Sequence, residues 1–598
     1  MKHFKTPLIV AAIAASFSGV AAAQNFTIVP IETPASVQHA YGVALNDQGL
    51  AALHMRLPYA AEIDFDHISS FMLSNLGLPE DFDPETDELT YRQYISLVMR
   101  LEDRVNSVLN TQRLAFNFAG DYDGQTVRLP ALLNPQGDGA SSNDNSADHQ
   151  FLGLNQNNVR VGIASAPYTR FDHTYQPPTP EEGETPDPVT ISYAKRDFTS
   201  RGIWYDGQEL KLVEPLAQDI LGGESAIFDI NEHHVAVGFQ SVALTPRSAE
   251  IWEKDCEKLA DDPSSTITPY TCMWNIWHAE QRANVTNLPS YMGTPVASNG
   301  SIYDVEATVW QLDVNGNVIS ETRYAPLMER LEDDPQHFST YAFAVNNNGI
   351  AVGQSWTYHD SGEEDEEPTP ASRIRLPVVF IDGETRAMTT HPDYLWGSAA
   401  DINDDNIAVG YVLRMVQGQR RAIPFQYDVD TETFSELPAF FKGSSTYPKA
   451  VNNQGIVVGT AEIDYSLDTI RRQAGFYLDL NNLEQGLINL NDVVGCETTH
   501  FIVSADAINE QNQILVTSVI EQRTEDSDGL IVGEQVAQTL LLNPFNGDFE
   551  GCDDNGGGSG GGGSVAPIER QGASMHWPTL LGMFLLGGLI TIRRKIRS

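Results

Sequence analysis

The sequence predicts an all-β protein, a propeller-like ring of about seven four-stranded units with a helical insert, flanked by a signal peptide and a C-terminal transmembrane helix. Three observations predict it. An apolar motif closing on asparagine recurs seven times, a second apolar or aromatic strand follows every copy, and the two ends of the chain read as export and membrane signals.

Residues 1–23 carry Lys2 and Lys5, an apolar run from Leu8 to Ala15, and Ala21-Ala22-Ala23 before Gln24. These are the charged, apolar and small-residue parts of a signal peptide, so the Sec translocon and signal peptidase are expected partners and the cut falls between Ala23 and Gln24. The apolar part is too short to span a bilayer.

The opposite end is a Gly-rich linker, residues 554–576, that includes Gly562 and Gly563. It leads into an apolar stretch, residues 577–592, beginning at Trp577, and a basic tail, residues 593–598, beginning Arg593-Arg594. The apolar stretch is just long enough to enter the inner membrane, and the arginines stay cytoplasmic. The body, residues 24–553, is thereby expected on the periplasmic side, held by the C-terminal anchor or released from it.

Seven asparagines mark the repeat: Asn46, Asn155, Asn231, Asn346, Asn403, Asn452 and Asn509, each preceded by an apolar segment such as Lys449-Ala450-Val451. Three residues later stand Gly49, Asn158, His234, Gly349, Asn406, Gly455 and Asn512, types that tolerate a left-handed backbone. An apolar strand follows, ending in glycine in the five inner copies, at Gly162, Gly238, Gly353, Gly410 and Gly459, with Leu53 and Val516 in the outer two. Such a pattern is a hairpin whose turn contains one left-handed residue.

The second motif reads Leu133-Asn134, Trp204-Tyr205-Asp206, Trp310 to Asp313, Phe380-Ile381-Asp382, Phe425 to Asp428, Phe476 to Asp479 and Leu541-Leu542-Asn543. Each repeat therefore supplies about four short strands. One such unit cannot bury both faces, so units must stack or close into a ring. Uneven spacing of the asparagines keeps an open β-sandwich array as the rival. Part of the unevenness comes from a helical insert near residues 68–114, where Tyr94, Leu97, Val98, Leu101, Val105 and Leu109 share one face.

A net charge of −45 argues against nucleic acid as a partner. Four cysteines in an oxidising compartment read as two disulfides, with proximity favouring Cys256 with Cys272 and Cys496 with Cys552 among three allowed pairings.

The run Ala450-Val451-Asn452-Asn453-Gln454-Gly455-Ile456-Val457-Val458-Gly459 resembles the HAF-type repeat, and the Gly-rich, apolar, basic tail resembles the GlyGly-CTERM sorting signal. The second resemblance implies cleavage near the glycines by a rhomboid-type protease and type II secretion; a plain membrane anchor is the alternative. Taken whole, the chain resembles an uncharacterised family of exported marine gammaproteobacterial proteins with a domain of unknown function, which implies location and architecture but no activity.

No nucleophile elbow, zinc helix, phosphate loop or dinucleotide fingerprint is present, and no cofactor is expected. His233-His234 falls in a repeat turn, where a structural role outweighs metal binding. The aromatic segment Trp274 to His278 is a recognition surface or simple packing of an insert, and packing is the expectation. Recurring asparagines are turn formers, since seven equivalent positions cannot all serve one active site. The expected function is non-enzymatic binding of an unknown ligand, with an extracytoplasmic hydrolase or lyase and an anchored structural component as alternatives.

Overall fold

The computed structural model describes residues 24–549 apart from 59–61, 69–72, 79–81, 84–85, 102–111, 135–145, 181–184, 287–301, 360–366, 466–470, 497, 526–530 and 548. The chain is all-β, built of small antiparallel sheets. Its first repeat unit is Val37–Leu45, Ala51–Pro58, Asn117–Tyr122 and Val127–Arg128, each strand paired with the next. Five further units follow the same up-and-down order. The fourth and fifth join into one larger sheet through a single parallel pairing, Arg375 with Trp396.

The last unit is assembled from both ends of the described chain. Phe501–Ile508, Ile514–Glu525 and Ile531–Phe545 supply three strands, and Asn25–Pro30 supplies the fourth, with Ile28 opposite Leu542. The second strand of every unit packs against the first strand of the next, and Ile514–Glu525 packs against Val37–Leu45. Apolar residues on the two sides of these contacts form the core, for example Val409 with Val451 and Val457.

One irregularity repeats in all seven units. The first strand shifts register three residues before its asparagine, at Val43, Leu152, Phe228, Phe343, Ala400, Lys449 and Asp506. This β-bulge twists the strand and pushes a carbonyl toward its partner. In the five inner copies the glycine on the second strand receives it; a Cβ on Gly353 would lie 1.9 Å from Tyr341 O, and one on Gly238 1.9 Å from Ala226 O.

One expected strand is corrected. The third strand of the first unit is Asn117–Tyr122, not the Leu133-Asn134 segment. Leu133 sits in a turn with φ 60°, and buried Asn134 bonds the backbone of Ala147 through both amide atoms. Within the expected helical insert, Tyr91–Leu101 is an α-helix that buries Leu97, Val98 and Leu101; Val105 and Leu109 lie outside the described residues. Among the described residues no helix is long and apolar enough to cross a membrane, and residues 577–592 lie outside them.

Candidate functional site

The two ends of the strands differ in kind. At one end every unit closes its first two strands with a turn of four or five residues starting at the repeated asparagine. The side-chain oxygen of each asparagine accepts the backbone N–H four residues on, at 2.9–3.0 Å. Its Nδ2 donates to the backbone carbonyl of the next asparagine in order, from Asn46 to Asn155 and onward to Asn509, which returns to Asn46. All seven are buried.

A second cycle lies beside the first. The backbone N–H of Asp47, Gln156, Glu232, Asn347, Asp404, Asn453 and Glu510 each donates to the side chain of the next member, and Glu510 N donates to Asp47 Oδ1. Burial, with Asp47 and Asp404 nearby, raises the Glu510 carboxyl above its ordinary range. Deeper, Asp229 and Asp401 bridge units: Asp229 Oδ2 accepts from Val345 N at 3.0 Å and Asp401 Oδ2 from Val451 N at 2.8 Å. Burial pushes Asp401 up to about 7. Each of these carboxylates thus serves as an acceptor joining one unit to another.

The opposite end carries the inserts, which leave from the connection between the second and third strands. They span 59–116, 165–200, 245–302, 359–372 and 463–472, while the fifth unit has only the two-residue turn Gln417-Gly418. In the third unit's insert, helix Pro269–Thr286 packs Trp274 and Trp277 inward, each 1% exposed, and Trp277 Nε1 donates to Glu224 Oε1 at 2.7 Å. That segment is packing, not a recognition surface. Burial pushes Glu224 up to about 7, against the opposing pull of Trp277, Thr199 and Arg201.

Between the fourth and fifth units, at this same end, lies a row of side chains set by register. Arg375 stands opposite Trp356 across one strand pair and opposite Trp396 across the other, so all three share a sheet face. Its guanidinium sits 5.0 Å from the Trp356 ring centre and 4.5 Å from that of Trp396. Two residues earlier, Arg373 also stacks on Trp356, at 4.4 Å, and pairs with Asp334 at 3.4 Å. Arg330 pairs with Asp304. His337, edge-on to Trp356, is held well below the ordinary histidine range by burial and by Arg373, Arg375 and Arg330, so it is neutral.

Among the other residues singled out from sequence, Cys256 and Cys272 form a disulfide within the third insert. Cys496 is also disulfide-bonded; Cys552 lies outside the described residues, as do Ala23, Gly562, Gly563, Trp577, Arg593 and Arg594. Gln24 begins the described chain, its backbone nitrogen donating to Tyr477 Oη at 3.0 Å. His234 takes the left-handed turn position at φ 57°. Sequence reasoning missed Arg375, Trp356 and Trp396; their only signal was that they break the repeat.

The fold and this arrangement define an all-β repeat protein with one uniform face and one elaborated face. The chain belongs to the family described as "Protein of unknown function (DUF3466)", which it matches over residues 3–595. No curated protein matches it. Among solved structures it is similar to Hadza microbial sialidase Hz136, with 8% identity, a TM-score of 0.27, and coverage of 60% of this chain and 76% of that one. It is also similar to Pyrococcus horikoshii acylaminoacyl peptidase, with 10% identity, a TM-score of 0.26, and coverage of 64% and 52%.

Proposed function

We propose that the seven repeat units form one closed β-propeller, and that the chain is an exported, non-enzymatic binding protein that engages its ligand with the insert-bearing face. The cycle of asparagine bonds and the pairing of Asn25–Pro30 with Ile531–Phe545 support the closed ring. The observation that carries the binding reading is one-sidedness. Turns at the asparagine end are nearly identical from unit to unit, while among the described residues the long inserts, the helices Tyr91–Leu101 and Pro269–Thr286 and the disulfide of Cys256 with Cys272 lie at the other end. Variable loops on a rigid scaffold are where proteins place recognition.

The test is retention of glycans and envelope polymers on the purified, processed protein, run beside a panel of glycoside, ester and peptide substrates. Selective retention, lost when at least one of the inserts 59–116, 165–200, 245–302, 359–372 and 463–472 is shortened, supports the reading. Turnover without retention overturns it.

In this reading the two ends of the chain act as export signals that carry the binding face to the periplasm or beyond, with the C-terminal segment as a membrane anchor or a sorting handle of the GlyGly-CTERM kind. Cell fractionation with mass spectrometry of both termini tests this. A chain starting at Gln24 supports export, and a C-terminus near Gly562-Gly563 supports sorting by a rhomboid-type protease. A soluble cytoplasmic chain starting at Met1 overturns it.

A further inference from the structure

Charge bookkeeping in the row between the fourth and fifth units leaves one cation over. Arg330 has Asp304 and Arg373 has Asp334, but no carboxylate or carbonyl among the described residues accepts from the Arg375 guanidinium, and its Nε is buried without a partner. Arg375 is 5% exposed. In a chain with 81 acidic residues against 36 lysines and arginines, an acid could have been placed there readily.

Aromatic faces do not replace one. Trp356 and Trp396 meet edge to face with ring centres 5.4 Å apart, so the guanidinium lies against the pair, and its ring-facing attraction gives its N–H donors no oxygen acceptor. A largely buried guanidinium whose Nε has no acceptor is costly to hold in a fold. Stability alone would favour methionine or leucine at this position.

Three further features lie around the guanidinium. Tyr341 and Tyr411 lie deep enough in the body for burial to raise both phenols, and both interact electrostatically with Arg375. Each nonetheless keeps partial solvent exposure. Trp356, which stacks on Arg375, also has an indole N–H without an acceptor.

We infer that Arg375 is the anchor of an oxyanion-binding site on the insert-bearing side, its planar fork taking a carboxylate, sulfate or phosphate group beside the edge-to-face pair of Trp356 and Trp396, with the Tyr411 hydroxyl as a second donor. The pairing follows from geometry: an in-plane fork of N–H donors matches two oxygens of such a group. This rests on the binding reading above and names the chemistry of the group bound; it places that group beside the fourth and fifth units, away from the 245–302 insert.

The experiment is a titration of the purified full-length protein with sodium acetate, sodium sulfate and sodium phosphate against sodium chloride at matched ionic strength. Thermal midpoint and tryptophan fluorescence are read together, and the arm that responds distinguishes carboxylate from tetrahedral oxyanion. At least one oxyanion is expected to raise the midpoint saturably and to change the fluorescence, with chloride producing neither. Arg375→Met is expected to abolish both responses while melting no lower than the parent in chloride. Tyr411→Phe, which keeps the cation, is expected to weaken binding by roughly tenfold. A parent indifferent to all three oxyanions, or a saturable response that survives Arg375→Met, overturns the proposal. Should Arg375→Met fail to fold, Arg375→Lys keeps the charge and loses the fork; an unchanged titration with that variant overturns it equally. Polymer retention measured above is a separate readout, so a protein that binds glycans but no oxyanion loses this site and keeps the broader reading.

Discussion

The side-chain nitrogen of Asn509 donates to the backbone carbonyl of Asn46 at 3.0 Å, across 463 residues of sequence. The same bond links every other neighbouring pair of repeated asparagines, so one local turn residue also serves as the joint between units. Each asparagine satisfies a buried N–H within its turn and a buried carbonyl in the next turn.

Asn452 tests this double role. Its Oδ1 accepts from Ile456 N at 3.0 Å, and its Nδ2 donates to Asn509 O at 3.0 Å. Asn452→Ala leaves Ile456 N without its acceptor and the Asn509 carbonyl with only the Asn512 N–H of its own turn, and is expected to cost roughly 1–3 kcal/mol, read as a lower urea midpoint. Asn452→Asp keeps the acceptor but sets an oxygen against the Asn509 carbonyl, so at neutral pH it should be no more stable than the alanine variant. An aspartate variant matching the parent would show that the joint between units carries no energy.

Two glycines in one repeat, four residues apart, separate steric from conformational cost. Gly349 has φ 79° with nothing near a would-be Cβ, whereas a Cβ on Gly353 would lie 1.9 Å from the Tyr341 carbonyl. Gly349→Ala is expected to cost about 1 kcal/mol for the left-handed backbone. Gly353→Ala must displace a strand, with an expected loss of at least ~3 kcal/mol or failure to fold. Thermal midpoints in the reverse order would contradict the bulge geometry.

This contrast shows what was legible in the sequence. Asparagine and the left-handed residue three positions on were visible because a tight turn admits few residue types, and they recur at fixed spacing. The bulge was not visible. Its residues are Val43, Leu152, Phe228, Phe343, Ala400, Lys449 and Asp506, which share no chemistry, since the bulge is imposed by backbone registry. Only its shadow, the glycine across the strand, could be read. Arg375 and its two tryptophans lie 19 and 21 residues apart in the chain and meet only through pairing between strands and between units, which no local pattern encodes. Leu133-Asn134 misled because an apolar residue before asparagine fits a strand end and a turn equally well.

Glu224 makes stability depend on pH. Burial raises its folded pKa to about 7 from the ordinary 4.5, so between these values the folded state holds a proton that the unfolded state has released. Its contribution is therefore complete below about pH 4.5, declines as pH rises, and is gone above about pH 7, with an upper bound of roughly 3 kcal/mol. Asp401 declines over a similar window in the same direction. Glu224→Gln keeps an acceptor oxygen for Trp277 and removes the titration. Urea midpoints at pH 5.5 and pH 8 are expected to differ less in this variant than in the parent, and at pH 8 the variant should be the more stable. An equal pH slope would place the titration elsewhere.

The final unit depends on a strand contributed from the far end of the chain, and Phe26 measures how much. It is 2% exposed, packs edge-on against Tyr477 with ring centres 5.9 Å apart, and its backbone nitrogen donates to Val493 O at 2.9 Å. Three residues on, Val29 is 38% exposed. Phe26→Ala opens a cavity among Val493, Val494 and Leu542 and is expected to cost about 3–5 kcal/mol, whereas Val29→Ala should cost less than ~1 kcal/mol. If Asn25–Pro30 holds the last sheet to the rest, Phe26→Ala should also speed proteolysis within Phe501–Phe545 under native conditions, because the pairing of Asn25–Pro30 protects that sheet's edge. Phe26→Ala and Val29→Ala proteins with equal midpoints and equal cleavage rates would show that the strand is docked without contributing to closure.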